Sequence, residues 1–181
     1  MGRSKQLLDV NGKSLIVHAT ETALACRTGN VVVVLGANAD AHKKEILNYP
    51  VHIVLNENWQ SGMGTSIKTG LAHLIESNPD LDAVLITLVD QPKVSTEHLL
   101  TLMRCYRDFS KSIVASFYGH NPGVPAIFSR IHFSEMLSMD DESGAKKVMT
   151  RHPDKLLTIG FPEGIIDLDT PDDYDRFLKG Q

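Results

Sequence analysis

The chain has 181 residues, with 18 Lys and Arg against 22 Asp and Glu, which gives a formal net charge of −4. This length fits a single domain, and we expect one unit over residues 1–181. The negative charge argues against a nucleic-acid-coating surface. The longest apolar runs, Val31 to Leu35 and Ala83 to Val89, are too short to cross a bilayer, so we expect no membrane partner and a cytoplasmic location.

The order of apolar runs and turn residues predicts alternating helices and strands. Ser14 is a candidate N-cap for the first helix, Ser95 for a central one, Ser143 for the helix that ends near Arg151 and Thr170 for the last. The predicted helices end near Gly29, Leu47, Ser77, Tyr106, Leu137, Arg151 and Leu178, and the predicted strands cover 30–35, 51–55, 83–89, 111–118, 126–128, 156–159 and 165–168. The succession of strand, helix, strand, helix, strand up to residue 89 favours an α/β fold with a doubly wound, mostly parallel, Rossmann-like sheet.

Two carboxylates follow predicted strands. The run Ala83 to Val89 is typical of a strand buried on both faces, and Asp90 follows it directly. Ligands of open α/β sheets bind outside the carboxyl ends of the strands, so Asp90 is a candidate ligand for a Mg²⁺ ion that carries phosphate oxygens. Asp169 follows the predicted strand 165–168 and could join it. The alternatives are that Asp90 only caps a turn and that Asp169 only favours the dipole of the last helix.

Polar residues in two loops are candidates for nucleotide binding. Lys5 lies in the basic segment Gly2-Arg3-Ser4-Lys5, and a lysine ammonium can neutralise triphosphate charge, although most lysines are simply solvated. Asn56 carries an amide that can donate to and accept from a base edge.

Glycines mark two places where a ligand could approach the backbone. Gly62, Gly64 and Ser66 precede a helix and could bring a nucleotide to its N-terminus, but Gly-Met-Gly is also typical of a simple turn. The segment Gly119 to Pro125 is predicted to be a loop with the same capacity. Neither G-x-G-x-x-G nor the P-loop pattern is present, which leaves the common dinucleotide and P-loop readings unsupported.

Four segments in order resemble the molybdenum cofactor cytidylyltransferase family, MobA-like and MocA-like nucleotidyltransferases. Met1 to Leu8 resembles the end of the family's Leu-Ala-Ala-Gly and Ser-x-Arg-Met-Gly-x-x-Lys-x-Leu-Leu loop. Asn56 to Ser66 resembles its Asn-x-x-Trp-x-x-Gly-Met-x-x-Ser segment, Val89 to Pro92 its Val-Asp-Gln-Pro, and Asp167 to Asp173 its Asp-x-Asp-Thr-Pro-x-Asp. The resemblance extends over the whole chain.

The resemblance implies an enzyme that transfers CMP from CTP to the terminal phosphate of the molybdenum cofactor, releases pyrophosphate and requires Mg²⁺. By the same resemblance Lys5 binds the triphosphate, Asp90 holds the metal, and Asn56, Gly62 and Ser66 lie along the nucleotide. The acceptor, a molybdopterin-type cofactor, would face Gly123, Pro125 and Gly144. A molybdoenzyme or a chaperone could receive the product.

The sequence departs from the family pattern at three places. The family's first strand and Gly-rich turn have no counterpart before Met1, so we expect the domain to be incomplete at its N-terminus. Gly123-Val124-Pro125 replaces Gly-His-Pro, and Asp141 to Ala145 replaces Gly-Asp-x-Gly-Ala. Two alternatives follow: a related nucleotidyltransferase with another phosphorylated acceptor or GTP as donor, and a non-catalytic module that binds and delivers the cofactor.

Overall fold

The computed structural model describes residues 4–27, 29–168 and 170–179. Its α-helices are α1 (Leu15–Ala25), α2 (Ala39–Ile46), α3 (Met63–Ser77), α4 (Thr96–Asp108), α5 (Phe133–Ser138), α6 (Ala145–Arg151) and α7 (Pro171–Leu178). Its strands are β1 (Asp9–Val10), β2 (Lys13–Ser14), β3 (Val32–Leu35), β4 (His52–Leu55), β5 (Ala83–Ile86), β6 (Ile113–Tyr118), β7 (Asn121–Ser129) and β8 (Leu156–Gly160). Short 3₁₀ turns lie at Lys5–Leu7, Trp59–Ser61, Arg130–His132, Pro153–Lys155 and Pro162–Ile165.

The fold is a mixed α/β arrangement with parallel strand pairs. β3 pairs with β4 in parallel, and a four-stranded sheet has the order β5-β7-β6-β8. β6 and β8 are parallel, whereas β7 is antiparallel to both of its neighbours. The α/β, Rossmann-like expectation is confirmed, and the antiparallel β7 is a feature that the sequence did not predict.

The segment predicted as the loop Gly119 to Pro125 is mostly strand, so the loop expectation for Gly123 and Pro125 is wrong. Gly119 and His120 have φ values of 54° and 72° and form a two-residue turn that reverses the chain from β6 into β7. A register shift between Ala115 and Ser116 lets the glycine and proline residues fit opposite β6.

Three other boundaries differ from the sequence predictions. β5 ends at Ile86, so Asp90 lies in a turn beyond the strand. Residues 165–168 form no strand, because Pro162 begins a short 3₁₀ helix that runs to Ile165. The expected Ser143 cap is wrong, since Gly144 occupies the N-cap position of α6.

Two of the predicted helix starts are confirmed by their capping bonds. The Ser95 hydroxyl accepts a hydrogen bond from the backbone N–H of His98. Thr170 and Asp173 form a reciprocal capping box at the start of α7.

The main core joins α3, α5 and α6 to the four-stranded sheet. Its central side chains include Leu71, Phe128, Met136 and Val148, all fully or almost fully buried. A cavity of about 1400 Å³ lies between β3 and β5, which are the edges of separate sheets among the described residues. Within those residues, no helix combines the length and apolarity that a membrane span requires.

Candidate active site

Lys5 and Asp90 form an ion pair across 85 residues of sequence. The Lys5 Nζ donates to Asp90 Oδ2 at 2.6 Å, and the two side chains are 30% and 20% exposed. Asp90 Oδ1 is buried and has no hydrogen-bond partner within the described residues. One carboxylate oxygen is therefore neutralised by a cation while the other still lacks the partner that burial demands.

The turn that carries Lys5 is fixed from its amino-terminal side. The Ser4 hydroxyl lies 2.7 Å from Nε2 of His42, a buried side chain of α2. Burial lowers the pKa of His42, so the ring is neutral and forms this bond without adding a second positive charge beside Lys5. The Lys5 ammonium is thus held near Asp90 by packing as well as by charge.

The chain segment before α7 reaches the backbone of Asp90. The N–H of Leu168 donates to the Asp90 carbonyl at 3.1 Å, and the Leu168 side chain is fully buried against Val10 and Leu15. The stretch that ends at Leu168 therefore contacts the turn that carries Asp90. Asp169 itself lies outside the described residues, so its metal role stays a prediction.

A buried glutamine and a tyrosine beside Asp90 were missed by the sequence analysis. Gln91 Nε2 donates to Tyr118 Oη and to the Gly164 carbonyl, both at 3.0 Å. Tyr118 in turn donates to the Val124 carbonyl at 2.8 Å. Burial chiefly raises the pKa of Tyr118, and the negative charges of Asp167 and Asp90 add to this. The only sequence signal for this network was the position of Gln91 directly after Asp90.

Gly123 has a packing reason that involves this tyrosine. A Cβ at residue 123 would lie 2.4 Å from Tyr118 Oη, so only glycine allows the phenol to reach the Val124 carbonyl. Gly123 lines the cavity, whereas Pro125 is buried and its carbonyl accepts a hydrogen bond from Ser116. The structure therefore brings Gly123, but not Pro125, to the cavity wall.

Asn56 is committed to internal hydrogen bonds. Its Nδ2 donates to Thr65 Oγ1 at 2.8 Å and to Ser66 Oγ at 2.9 Å, and its Oδ1 accepts from the N–H of Asn58 at 3.0 Å. With 4% exposure, the amide holds the loop to the first turn of α3. Recognition of a base edge by Asn56 stays a prediction, and in this conformation the residue positions Ser66, which lines the cavity.

Gly62 and Gly64 approach a protein segment closely. A Cβ on either residue would come within 2.5 Å of a carbonyl oxygen in the loop 140–143, and the N–H of Gly64 donates to the Asp141 carbonyl at 2.8 Å. The acidic loop thus occupies the space beside the start of α3 where a nucleotide was expected. Contact between Gly62 and a nucleotide stays a prediction. The nucleotide would have to lie on the side of Gly62 that faces away from the acidic loop.

Two lysines hold the acidic loop in place. Lys68 of α3 pairs with Asp141 and donates to the Met139 carbonyl at 3.1 Å, while Lys147 of α6 pairs with Asp140. The hydrogen bond from Lys147 is the main cause that lowers the pKa of Asp140. Both acids are therefore paired with a lysine, and Gly144 at the end of this segment lines the cavity.

Four residues of the predicted site, Asp90, Ser66, Gly123 and Gly144, line the cavity. Lys5 pairs with Asp90, and we call this part of the cavity its polar end. The walls come from the apolar side chains of β3 and β5. A charged rim above an apolar slot can bind a nucleotide by its phosphates and exclude water from the reacting groups.

The family comparison matches the MobA-like NTP transferase domain over residues 1–156 of the chain. The chain belongs to this family. The matched region covers more than half of the chain and includes Lys5, Asn56, Asp90 and Gly144. This establishes a nucleotidyltransferase domain.

The curated relatives differ in name and in coverage. Nicotine blue oxidoreductase of Paenarthrobacter nicotinovorans is 39% identical over 108 residues, which are 59% of this chain and 51% of that protein. The chain therefore matches about half the length of this relative. The purine catabolism protein PucB of Bacillus subtilis is 25% identical over 190 residues, 99% of this chain and 90% of PucB.

Solved structures support the fold over the whole chain. Rv0371c of Mycobacterium tuberculosis superposes with a TM-score of 0.83 and 25% identity, covering 99% of this chain and 91% of that one. A complex of Rv0371c with manganese has a TM-score of 0.77 and 23% identity, covering 98% and 92%. At 23% identity the second comparison concerns the fold, and the metal is a property of that protein.

Proposed function

We propose that this MobA-like NTP transferase moves CMP from CTP to the terminal phosphate of a molybdopterin-type cofactor and releases pyrophosphate. The observation that carries the proposal is the Lys5–Asp90 pair at the polar end of the cavity, with Asp90 Oδ1 buried and unsatisfied among the described residues. The CTP and cofactor specificity rests on the resemblance of the four motifs.

A divalent cation suits the donors at this end of the cavity. Mg²⁺ prefers one or two carboxylates together with phosphate oxygens and water. Asp90 supplies a carboxylate with one oxygen still to be satisfied, and we propose it as the metal ligand together with Asp169. When bound, Mg²⁺ would neutralise charge on the triphosphate.

The protein has little covalent chemistry to perform. An oxygen of the acceptor phosphate attacks the α-phosphorus of CTP, the new P–O bond forms, and the bond to the β-phosphate oxygen breaks so that pyrophosphate leaves with the electron pair. Lys5 stabilises the charge that develops on the leaving pyrophosphate, because an ammonium in a partly desolvated site interacts strongly with phosphate oxygens. The groups around Asp90, at the polar end of the cavity, hold the two phosphates in line.

The donor and the acceptor would approach from different sides of Asp90. Ser66 and the outer side of Gly62 face the nucleotide, and Asn56 fixes Ser66 in position. Gly123 and Gly144 face the acceptor, and we keep Pro125 on that side as a residue that shapes the backbone of Gly123. A molybdoenzyme or chaperone would take the product.

We also propose that the cavity accommodates a further strand that carries a Gly-rich loop. Among the described residues β3 pairs only with β4 and β5 only with β7, and the two unpaired edges line the same apolar cavity. A strand placed between them would satisfy both edges and bring backbone N–H groups to the polar end.

An extended chain taken from the genomic reading frame tests this strand. Turnover should rise and hydrogen exchange of residues 32–35 and 83–86 should slow, compared with an equally long extension of Gly and Ser. Equal rates and equal exchange for the two extensions would refute the strand without touching the proposed reaction.

The reaction itself is tested with Mg²⁺, the molybdopterin-type cofactor and each α-labelled nucleoside triphosphate in turn. Pyrophosphate release and label transfer with CTP alone support the proposal. Transfer with GTP, or with another phosphorylated acceptor, would replace it with the related nucleotidyltransferase. Tight cofactor binding without any release would favour the binding and delivery module.

A further inference from the structure

A second group of metal-ligating side chains lies away from the candidate active site. His132 ends the 3₁₀ turn after β7, Glu135 lies in the first turn of α5, and His152 follows α6. One ligand atom from each of the three lies within 4.8 Å of the others. Three chain segments thus converge on two imidazoles and one carboxylate.

The group is already organised by hydrogen bonds. His152 Nε2 lies 2.6 Å from Glu135 Oε2, and the rings of His132 and His152 are 4.8 Å apart between centroids. The Ser112 hydroxyl lies 2.8 Å from His132 Nε2, a bond that does not use Nδ1 of that ring. A hydroxyl that fixes the far nitrogen is the arrangement by which metal-binding histidines are oriented.

The distances require only small side-chain movements. Ligand atoms about 2.0–2.2 Å from Zn²⁺ in a tetrahedron lie roughly 3.3 Å from one another. His152 and Glu135 are closer than this and the widest separation in the group is larger, so rotation about side-chain bonds can centre the ion. Arg151, which now donates to Glu135 at 3.0 Å, is half exposed and can turn to solvent.

The position of the group separates it from the proposed reaction. Ser129 at the end of β7 pairs with Ala83 at the start of β5. His132 therefore lies near the start of β5, whereas Asp90 follows the end of β5. Glu135 and His152 belong to the α5 and α6 segments, which flank the acidic loop 140–143. An ion here would join the end of β7 to both helices and would restrain that loop from a distance.

We propose that His132, Glu135 and His152 form a site for a transition-metal ion of the Zn²⁺ type, with water as its fourth ligand. The donor set is that of sites with two histidines and one carboxylate. The inference is independent of the proposed nucleotidyl transfer, because it concerns different residues near the opposite end of β5.

The test uses the full chain after chelation, titrated with Zn²⁺ by calorimetry and with Co²⁺ by absorption spectroscopy. One equivalent should bind, Co²⁺ should give the intense visible bands of tetrahedral coordination, and Zn²⁺ should raise the Tm. His152→Gln should weaken binding by at least about tenfold and abolish the Tm shift. Loss of a direct ligand should lower the metal affinity at least as much as loss of a group that only hydrogen-bonds to a ligand.

His73→Gln is the matched control. His73 and His52 form an exposed pair with ring nitrogens 3.3 Å apart, which could bind a metal weakly at the surface. Circular dichroism should show that both variants fold. Absence of stoichiometric binding in the wild type, unchanged binding in His152→Gln, or loss of binding in His73→Gln would each overturn the proposal.

Discussion

The ammonium of Lys5 lies 2.6 Å from Oδ2 of Asp90, at the polar end of a cavity between two strand edges. This pair joins the first described turn of the chain to the turn after β5. It places a candidate phosphate-binding cation and a candidate metal ligand side by side.

Asp90→Asn should reduce nucleotidyl transfer by about 100-fold or more, because the neutral amide cannot match the charge stabilisation that a carboxylate and its cation supply. Initial rates of pyrophosphate release measure the effect. Asp154→Asn, an exposed acid near Lys155, is the control and should keep the wild-type rate. A wild-type rate for Asp90→Asn, with a normal circular dichroism spectrum for both variants, would remove Asp90 from the metal role.

Lys5→Gln should lower kcat/KM for the nucleotide by roughly tenfold or more, since one charge-assisted contact to the triphosphate is lost. Lys13→Gln, which breaks the surface pair with Glu21, should be close to neutral. Because Lys5 and Asp90 are in direct contact and are proposed to act on the same phosphates, the double variant should lose less than the product of the two single losses. Strictly multiplicative losses would show that the two residues act independently.

Gly64→Ala should destabilise the fold by about 1–3 kcal/mol, because the new Cβ would meet the carbonyl oxygens of Asp140 and Asp141 at 2.5 and 2.7 Å. Urea unfolding measures the change. Gly160→Ala is the control, since a Cβ there meets nothing within 4 Å. A loss below about 0.5 kcal/mol for Gly64→Ala would mean that the acidic loop moves away freely and does not pack firmly on α3.

Stability should fall as the pH drops below about 6.5, the ordinary pKa of histidine. Burial lowers the pKa of His42, His98 and His132 in the folded protein, so the unfolded chain takes up protons first and acid favours unfolding. The stabilisation is complete above the unfolded pKa and is lost progressively as the pH falls towards the folded values. Urea titrations at pH 7.5 and 5.5 measure the difference.

His98→Gln should reduce this pH dependence. The His98 ring stacks on Phe161 at 4.1 Å, and its Nε2 lies 2.7 Å from the Ser116 hydroxyl. His120→Gln replaces an exposed histidine in the turn before β7 and should leave the slope unchanged. An identical slope for wild type and His98→Gln would show that the titration of this ring is not coupled to folding.

Local patterns were enough to place most helices and strands. The apolar run of β3, the Ser95 cap and the Thr170 capping box are decided by neighbouring residues, so the sequence located them within a few positions. The predicted boundaries were wrong where contacts between residues far apart in the sequence decide where an element begins or ends. β5 is shorter than its apolar run, and residues 121–125 are strand because β6 lies beside them.

The sequence by itself determined the residue types at the site: a lysine near the start, an acid after a buried run, and glycines before a helix. Only the tertiary structure decided their partners. It paired Lys5 with Asp90, turned the Asn56 amide inward and set Gly64 against the acidic loop. The physical reason is that charge and hydrogen-bond partners are chosen by proximity in space, which strand order and packing create and which local pattern does not encode.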